Sequence, residues 1–131
     1  MISRRNLISM AAVLPMALTL SISHASAEEA YTESALQAAQ KAGKPILVEV
    51  AAPWCPTCHA QKPIIEGLAK ADKFKGFVFL KVDFDNQKAE LRKLNARSQS
   101  TLIVFKGANE VGRSVGDTNA ASIEALLTKA L

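Results

Sequence analysis

The chain has 131 residues, of which 49% are hydrophobic, enough for one small domain with its own core. Its 16 basic and 12 acidic residues give a net charge of +4, and the basic side chains are spread rather than clustered. No nucleic-acid partner is expected from such a pattern, and no repeat, low-complexity tract or linker marks a domain boundary after residue 28.

The first residues read as an export signal. Ser3-Arg4-Arg5-Asn6 is a charged start, Leu7 to Ile22 is mostly apolar but broken by Ser9, Pro15, Thr19 and Ser21, and Ala25-Ser26-Ala27 is a small-x-small cleavage pattern. Cleavage is expected before Glu28, leaving residues 28–131 as the mature domain. The apolar run falls short of the roughly 20 unbroken residues a membrane-spanning helix needs. Ser3-Arg4-Arg5-Asn6-Leu7 also resembles the twin-arginine signal, which exports folded proteins, although a general secretory signal carries basic residues in the same place. The compartment implied is oxidising, so a cysteine pair there forms disulfides and must be re-reduced to serve as thiols.

Ser34 to Ala42 predicts a short helix stopped by Gly43. Pro45 opens "ILVEVAA", a buried strand, and a helix follows from the cysteines to about Lys73, with Ile64, Ile65 and Leu68 inward and Pro63 kinking it. Phe77 to Asp83 is a second buried strand, and Asn86 to Leu94 a helix anchored by Leu91 and Leu94. "TLIVF" and "EVGRSVG" form a hairpin through Lys106-Gly107-Ala108-Asn109. A last helix, Ala120 to Leu131, is capped by Asp117, Thr118 or Asn119 and buries Ile123, Leu126 and Leu127. The order α-β-α-β-α-β-β-α implies an α/β fold, a mixed four-stranded sheet with helices on both faces.

The chemistry concentrates in Pro53-Trp54-Cys55-Pro56-Thr57-Cys58-His59, which holds both cysteines of the chain. Cys-x-x-Cys is a redox spacing, and Cys-x-x-Cys-His is also the spacing that attaches a c-type haem. Haem would need a second axial ligand, yet Met1, Met10, Met16 and His24 all lie in the export segment. Structural zinc usually takes four ligands, and Cys55, Cys58 and His59 supply three. A purely structural disulfide closing so short a loop would constrain the unfolded chain little. No cofactor and no metal are therefore expected. A strand-to-helix corner, by contrast, aims the partial positive charge of a helix N-terminus at the sulfur and favours thiolate. Pro56 suits the first helical turn. Cys55, at the mouth, is the expected nucleophile, and Cys58, one turn in and more shielded, the resolving thiol. His59 either adds positive charge or faces solvent.

Trp54-Cys55-x-x-Cys58, with Pro63 five residues on and Gly116 ahead of the last helix, resembles the thioredoxin family over the whole mature chain. "KAGKPILVEV" is most similar to exported bacterial members that pass electrons between a membrane reductant and periplasmic disulfides. The resemblance implies a thioredoxin-like fold and a monomeric periplasmic thiol–disulfide oxidoreductase acting on protein disulfides or thiols. Glu49 stands where the family carries a buried acid that exchanges protons with the inner cysteine, and Lys81 where a lysine tunes that acid. Burial should raise the Glu49 pKa toward neutrality. Trp54, Pro56, Thr57, Gln99, Ser100 and Thr101 are the expected substrate-facing positions.

One departure stands out: Ser100 occupies the place of the family's cis-proline. A cis bond before serine costs about 3–4 kcal/mol, so either the loop is strained or Gln99-Ser100 is trans and the loop differs. Two alternatives follow from that serine: a metal or iron–sulfur cluster held between two chains by paired cysteines, or a non-catalytic interaction or chaperone module. The direction of electron flow is expected to be reductive, given the acid at Glu49 and the small domain without a dimerisation module.

Overall fold

Strand β2 (Pro45–Ala51) alternates its side chains between two layers, and this alternation organises the domain. The computed structural model describes residues 27–131, so the expected export signal lies outside the described residues apart from Ala27. β2 runs parallel to β3 (Val78–Asp83) and antiparallel to β4 (Thr101–Lys106). β5 (Asn109–Val115) extends the sheet beyond β4, and β1 (Glu29–Ala30) pairs with β3 at the opposite edge. Among the described residues the sheet thus has five strands in the order β1-β3-β2-β4-β5, one more than expected. The extra strand is two residues long, and only its pairing with Leu80 and Lys81 defines it.

Ile46, Val48 and Val50 face one layer, where Leu80, Val82, Ile103, Leu36, Leu91 and Leu94 complete the core. Leu36 comes from α1 (Glu33–Lys41) and Leu91 from α3 (Lys88–Lys93). Leu47 faces the other layer with Phe79, Leu102 and Val104, covered by Ile65 of α2 (Pro56–Lys70) and by Ile123, Leu126 and Leu127 of α4 (Ala120–Thr128). Ile64 and Leu68 are only partly buried at the margin of this layer.

The termini of the helices follow local chemistry. Thr32 caps α1 by accepting the Ala35 N–H at 3.0 Å, and Asn119, one of three candidates, caps α4 by accepting that of Ser122 at 2.9 Å. Gly43, at φ 68°, turns the chain out of α1 in a conformation glycine adopts without penalty. α2 continues through Pro63 but ends at Lys70, three residues early, and a single 3₁₀ turn, Asp72–Phe74, follows. α3 is likewise shorter than its periodicity suggests, because Asn86 and Gln87 are spent on Asp83: Asn86 Nδ2 donates to its carboxylate at 2.7 Å and Gln87 Oε1 accepts its N–H at 2.9 Å.

Ile103 has no exposed surface and lies on the central pair of strands. Replacing it with alanine should cost about 2–5 kcal/mol, read as a lower urea midpoint with an unchanged denaturant slope.

Candidate active site

The C-terminal end of β2 delivers the cysteines to the head of α2. Pro56 is the first residue of that helix, where a missing N–H breaks no hydrogen bond, and Cys55 is its N-cap. Cys55 Sγ accepts the Cys58 N–H at 3.1 Å, so the sulfur does the work a serine or aspartate oxygen does at other helix starts. The two cysteines form a disulfide, with Cα atoms 5.3 Å apart. Both are buried, Cys55 at 1% exposure and Cys58 at 3%. The expectation of an open Cys55 and a shielded Cys58 therefore needs correcting, because Ala51, Ala52 and Phe84 pack around both. What separates the two is their surroundings: Cys55 caps the helix, whereas Cys58 lines a cleft that opens to solvent.

That cleft, of about 510 Å³, also receives Glu49, Lys81 and Glu28. Glu49 and Lys81 are register partners on β2 and β3, and they lie on the sheet face that α2 covers. Glu49 is only 4% exposed. Burial pushes its carboxyl up from 4.5 to about 7; the Lys81 charge pulls it down, while a hydrogen bond and the charge of Glu28 push it up. Lys81 forms its ion pair with Glu28, at 3.0 Å, rather than with Glu49. Burial presses the Lys81 ammonium down, but the Glu28 hydrogen bond and the charge of Glu49 outweigh this and hold it above its ordinary value. Glu28 is thus a member of this cluster that periodicity did not expose. It precedes a strand too short to leave a pattern.

The loop before β4 contributes Ser100, buried at 3%. The described residues contain no cis peptide bond, so Gln99-Ser100 is trans, and Ser100 instead takes a left-handed conformation at φ 60°. Its N–H donates to the Val50 carbonyl at 2.8 Å, and its carbonyl accepts the Gly116 N–H at 2.9 Å. Ser100 Oγ lies 3.1 Å from Cys55 Sγ and 3.2 Å from Cys58 Sγ. Gln61, fully buried one turn below Cys58, donates from Nε2 to the carbonyls of Ser100 at 3.3 Å and Asp117 at 2.8 Å. A glutamine among the polar positions of α2 carries no sequence signal of burial, and it was missed.

Of the expected substrate-facing residues, Trp54 and Pro56 are exposed beside the disulfide, and Thr57 and Gln99 are half-buried. Thr101 is turned inward, its hydroxyl donating to the Ser98 carbonyl at 2.7 Å. The Trp54 indole N–H donates to Asp85 at 2.9 Å and its ring meets Phe84 edge-on, which fixes an otherwise open aromatic side chain. His59 Nε2 donates to the Pro53 carbonyl at 2.8 Å, tying the approach loop to the helix.

The raised Glu49 pKa has a stability consequence of definite sign. A carboxyl that holds its proton more tightly folded than unfolded contributes fully below pH 4.5 and loses that contribution as pH rises toward 7. Glu49→Gln, neutral at every pH, should therefore match the wild type near pH 4 and be more stable by up to about 3 kcal/mol above pH 8. Denaturant titrations across that pH range check this. Equal pH dependence in both proteins would mean that Glu49 ionises freely.

The Thioredoxin family model matches residues 24–129. The chain is 37% identical over 78 residues to a rice H-type thioredoxin (Oryza sativa subsp. indica), covering 60% of this chain and 62%, just under two thirds, of that protein. It is 34% identical over 93 residues to a thioredoxin of Echinococcus granulosus, covering 71% of this chain and 84% of that one. Among solved structures, Trxlp of Edwardsiella tarda EIB202 superposes with a TM-score of 0.75 at 37% identity, over 77% of this chain and 98% of that chain. A disulfide-bonded Cys-x-x-Cys pair capping a helix, inside a match that spans nearly all the described residues, places the chain in the thioredoxin family of thiol–disulfide oxidoreductases.

Proposed function

We propose that the protein is exported to the bacterial periplasm and there reduces protein disulfides with the Cys55–Cys58 pair, itself recharged by a membrane thiol reductant. The observation that carries the reductive reading is the shared cleft of Cys58 and Glu49, which gives the inner thiol a proton acceptor poised near neutrality.

In the dithiol state the Cys55 thiolate is favoured by the helix N-terminus and the Cys58 N–H. It attacks one sulfur of a substrate disulfide, a Cys55–substrate S–S bond forms, and the departing substrate thiolate takes up a proton. Glu49 as carboxylate then takes the proton of the Cys58 thiol, with Lys81 and Glu28 setting how readily it does so. The Cys58 thiolate attacks Cys55 Sγ, closes the disulfide seen here and expels the second substrate sulfur as a thiolate, which takes up a proton. Two electrons have moved from the pair to the substrate, and a dithiol donor must return them. Trp54, Pro56, Thr57, Gln99 and Ser100 frame the place where the substrate chain meets Cys55, while Thr101, turned inward, supports that loop from beneath.

Equilibration with glutathione should give a reduction potential near roughly −270 mV. A value near −120 mV would instead make the protein an oxidant. Cys58→Ser should accumulate a mixed disulfide with an added substrate protein, and Cys55→Ser should abolish reduction. Fractionation of cells expressing the full chain, followed by N-terminal sequencing, should find the mature protein in the periplasm beginning at Glu28; a cytoplasmic protein with an intact Met1 end would overturn the export reading.

A further inference from the structure

We propose that Ser100 is a third member of the redox centre, its hydroxyl donating a hydrogen bond to the Cys55 thiolate in the dithiol state, with Gln61 as the positioning residue that holds it there. This rests on the thiol–disulfide reading above and assigns the serine a part in that chemistry.

The direction of the hydrogen bond follows from the state of the sulfurs. In the disulfide neither sulfur carries a hydrogen, so with Oγ at 3.1 and 3.2 Å from the two of them the hydroxyl is the only possible donor. Ser100 is buried, and no other partner is found for its hydroxyl among the described residues. When the S–S bond takes up two electrons, the acceptor changes from a weak neutral sulfur to an anionic one. The bond then becomes charge-assisted and stronger, so it stabilises the reduced form more than the oxidised form. Cys55 thereby gains a second donor besides the Cys58 N–H.

The backbone around the serine is built for this. A left-handed φ of 60° costs a non-glycine residue energy and persists only where the surroundings impose it. Here three hydrogen bonds do so: to Val50 from the N–H, and from Gly116 and the Gln61 amide to the carbonyl. Gln61 is a buried amide whose Nε2 spans Ser100 and Asp117 while its Oε1 finds no partner, an arrangement an aliphatic residue would avoid unless the amide were needed. Thus α2 and its N-cap carry the two cysteines, and the same helix carries the side chain that anchors the Ser100 carbonyl.

The test compares Ser100→Ala, Ser100→Gly and Gln61→Leu with the wild type, using the reduced protein and no protein substrate. Glycine accepts a positive φ, so Ser100→Gly removes the hydroxyl without the backbone penalty that alanine would carry. In both serine variants the pH midpoint of Cys55 alkylation should rise, and the glutathione equilibrium should shift about tenfold toward the disulfide, roughly 30 mV more reducing. Gln61→Leu should move both readouts in the same direction by less. A wild-type midpoint and equilibrium in Ser100→Gly overturn the proposal, as does a shift confined to Ser100→Ala, which would report backbone strain alone. Failure of the wild type to reduce protein disulfides would sink the function proposed above while leaving these two measurements to decide the role of Ser100.

Discussion

The double pairing of β2 fixes nearly everything else in this molecule. Because it is bonded to β3 on one side and β4 on the other, each of its residues from Ile46 to Ala51 is buried, and none from Ile46 to Val50 can be moved without breaking two ladders. The chain leaves that strand at one defined point, and Cys55 is set there. The same register places Lys81 beside Glu49, and the side-chain alternation sends Glu49 toward α2. The redox pair, the buried carboxyl of Glu49 and the loop opposite are therefore outcomes of one sheet geometry.

A carboxyl group in such a strand works against the fold that holds it. Leu47, its neighbour on the same face, packs against apolar partners, whereas Glu49 has a cleft and two charged neighbours. The energy that an ionised Glu49 takes from folding is the same energy that raises its affinity for a proton toward neutral pH. Lys81 and Glu28 moderate the effect from opposite directions, one lowering and the other raising the affinity for the proton.

Several parts of this were legible in the residues alone. "ILVEVAA" was short and apolar enough for a buried strand, and the cysteines soon after it fell at a strand-to-helix corner, where Cys55 proves to be the N-cap. An acid within that apolar run announced its own raised pKa. Other parts were hidden for physical reasons. β1 is too short to show a period, so both the fifth strand and the role of Glu28 in engaging Lys81 depend on pairing across the sheet. The depth of Cys55 comes from Phe84 and two alanines that the helical pattern does not name. Gln61 is polar in type and core in position, a combination that periodicity reads as surface. At Ser100 the sequence posed the choice between a cis bond and a different loop, and a left-handed trans residue is the answer.

That loop is continuous with the sheet's own bonding. With its N–H committed to Val50 and its carbonyl to Gly116, residue 100 acts as one more rung between β2, β4 and the end of β5. A surface stitched down in this way is preorganised. An incoming chain pays little to order it, because the ordering was completed on folding. The same stiffness narrows what can dock, since a partner must conform to a fixed edge.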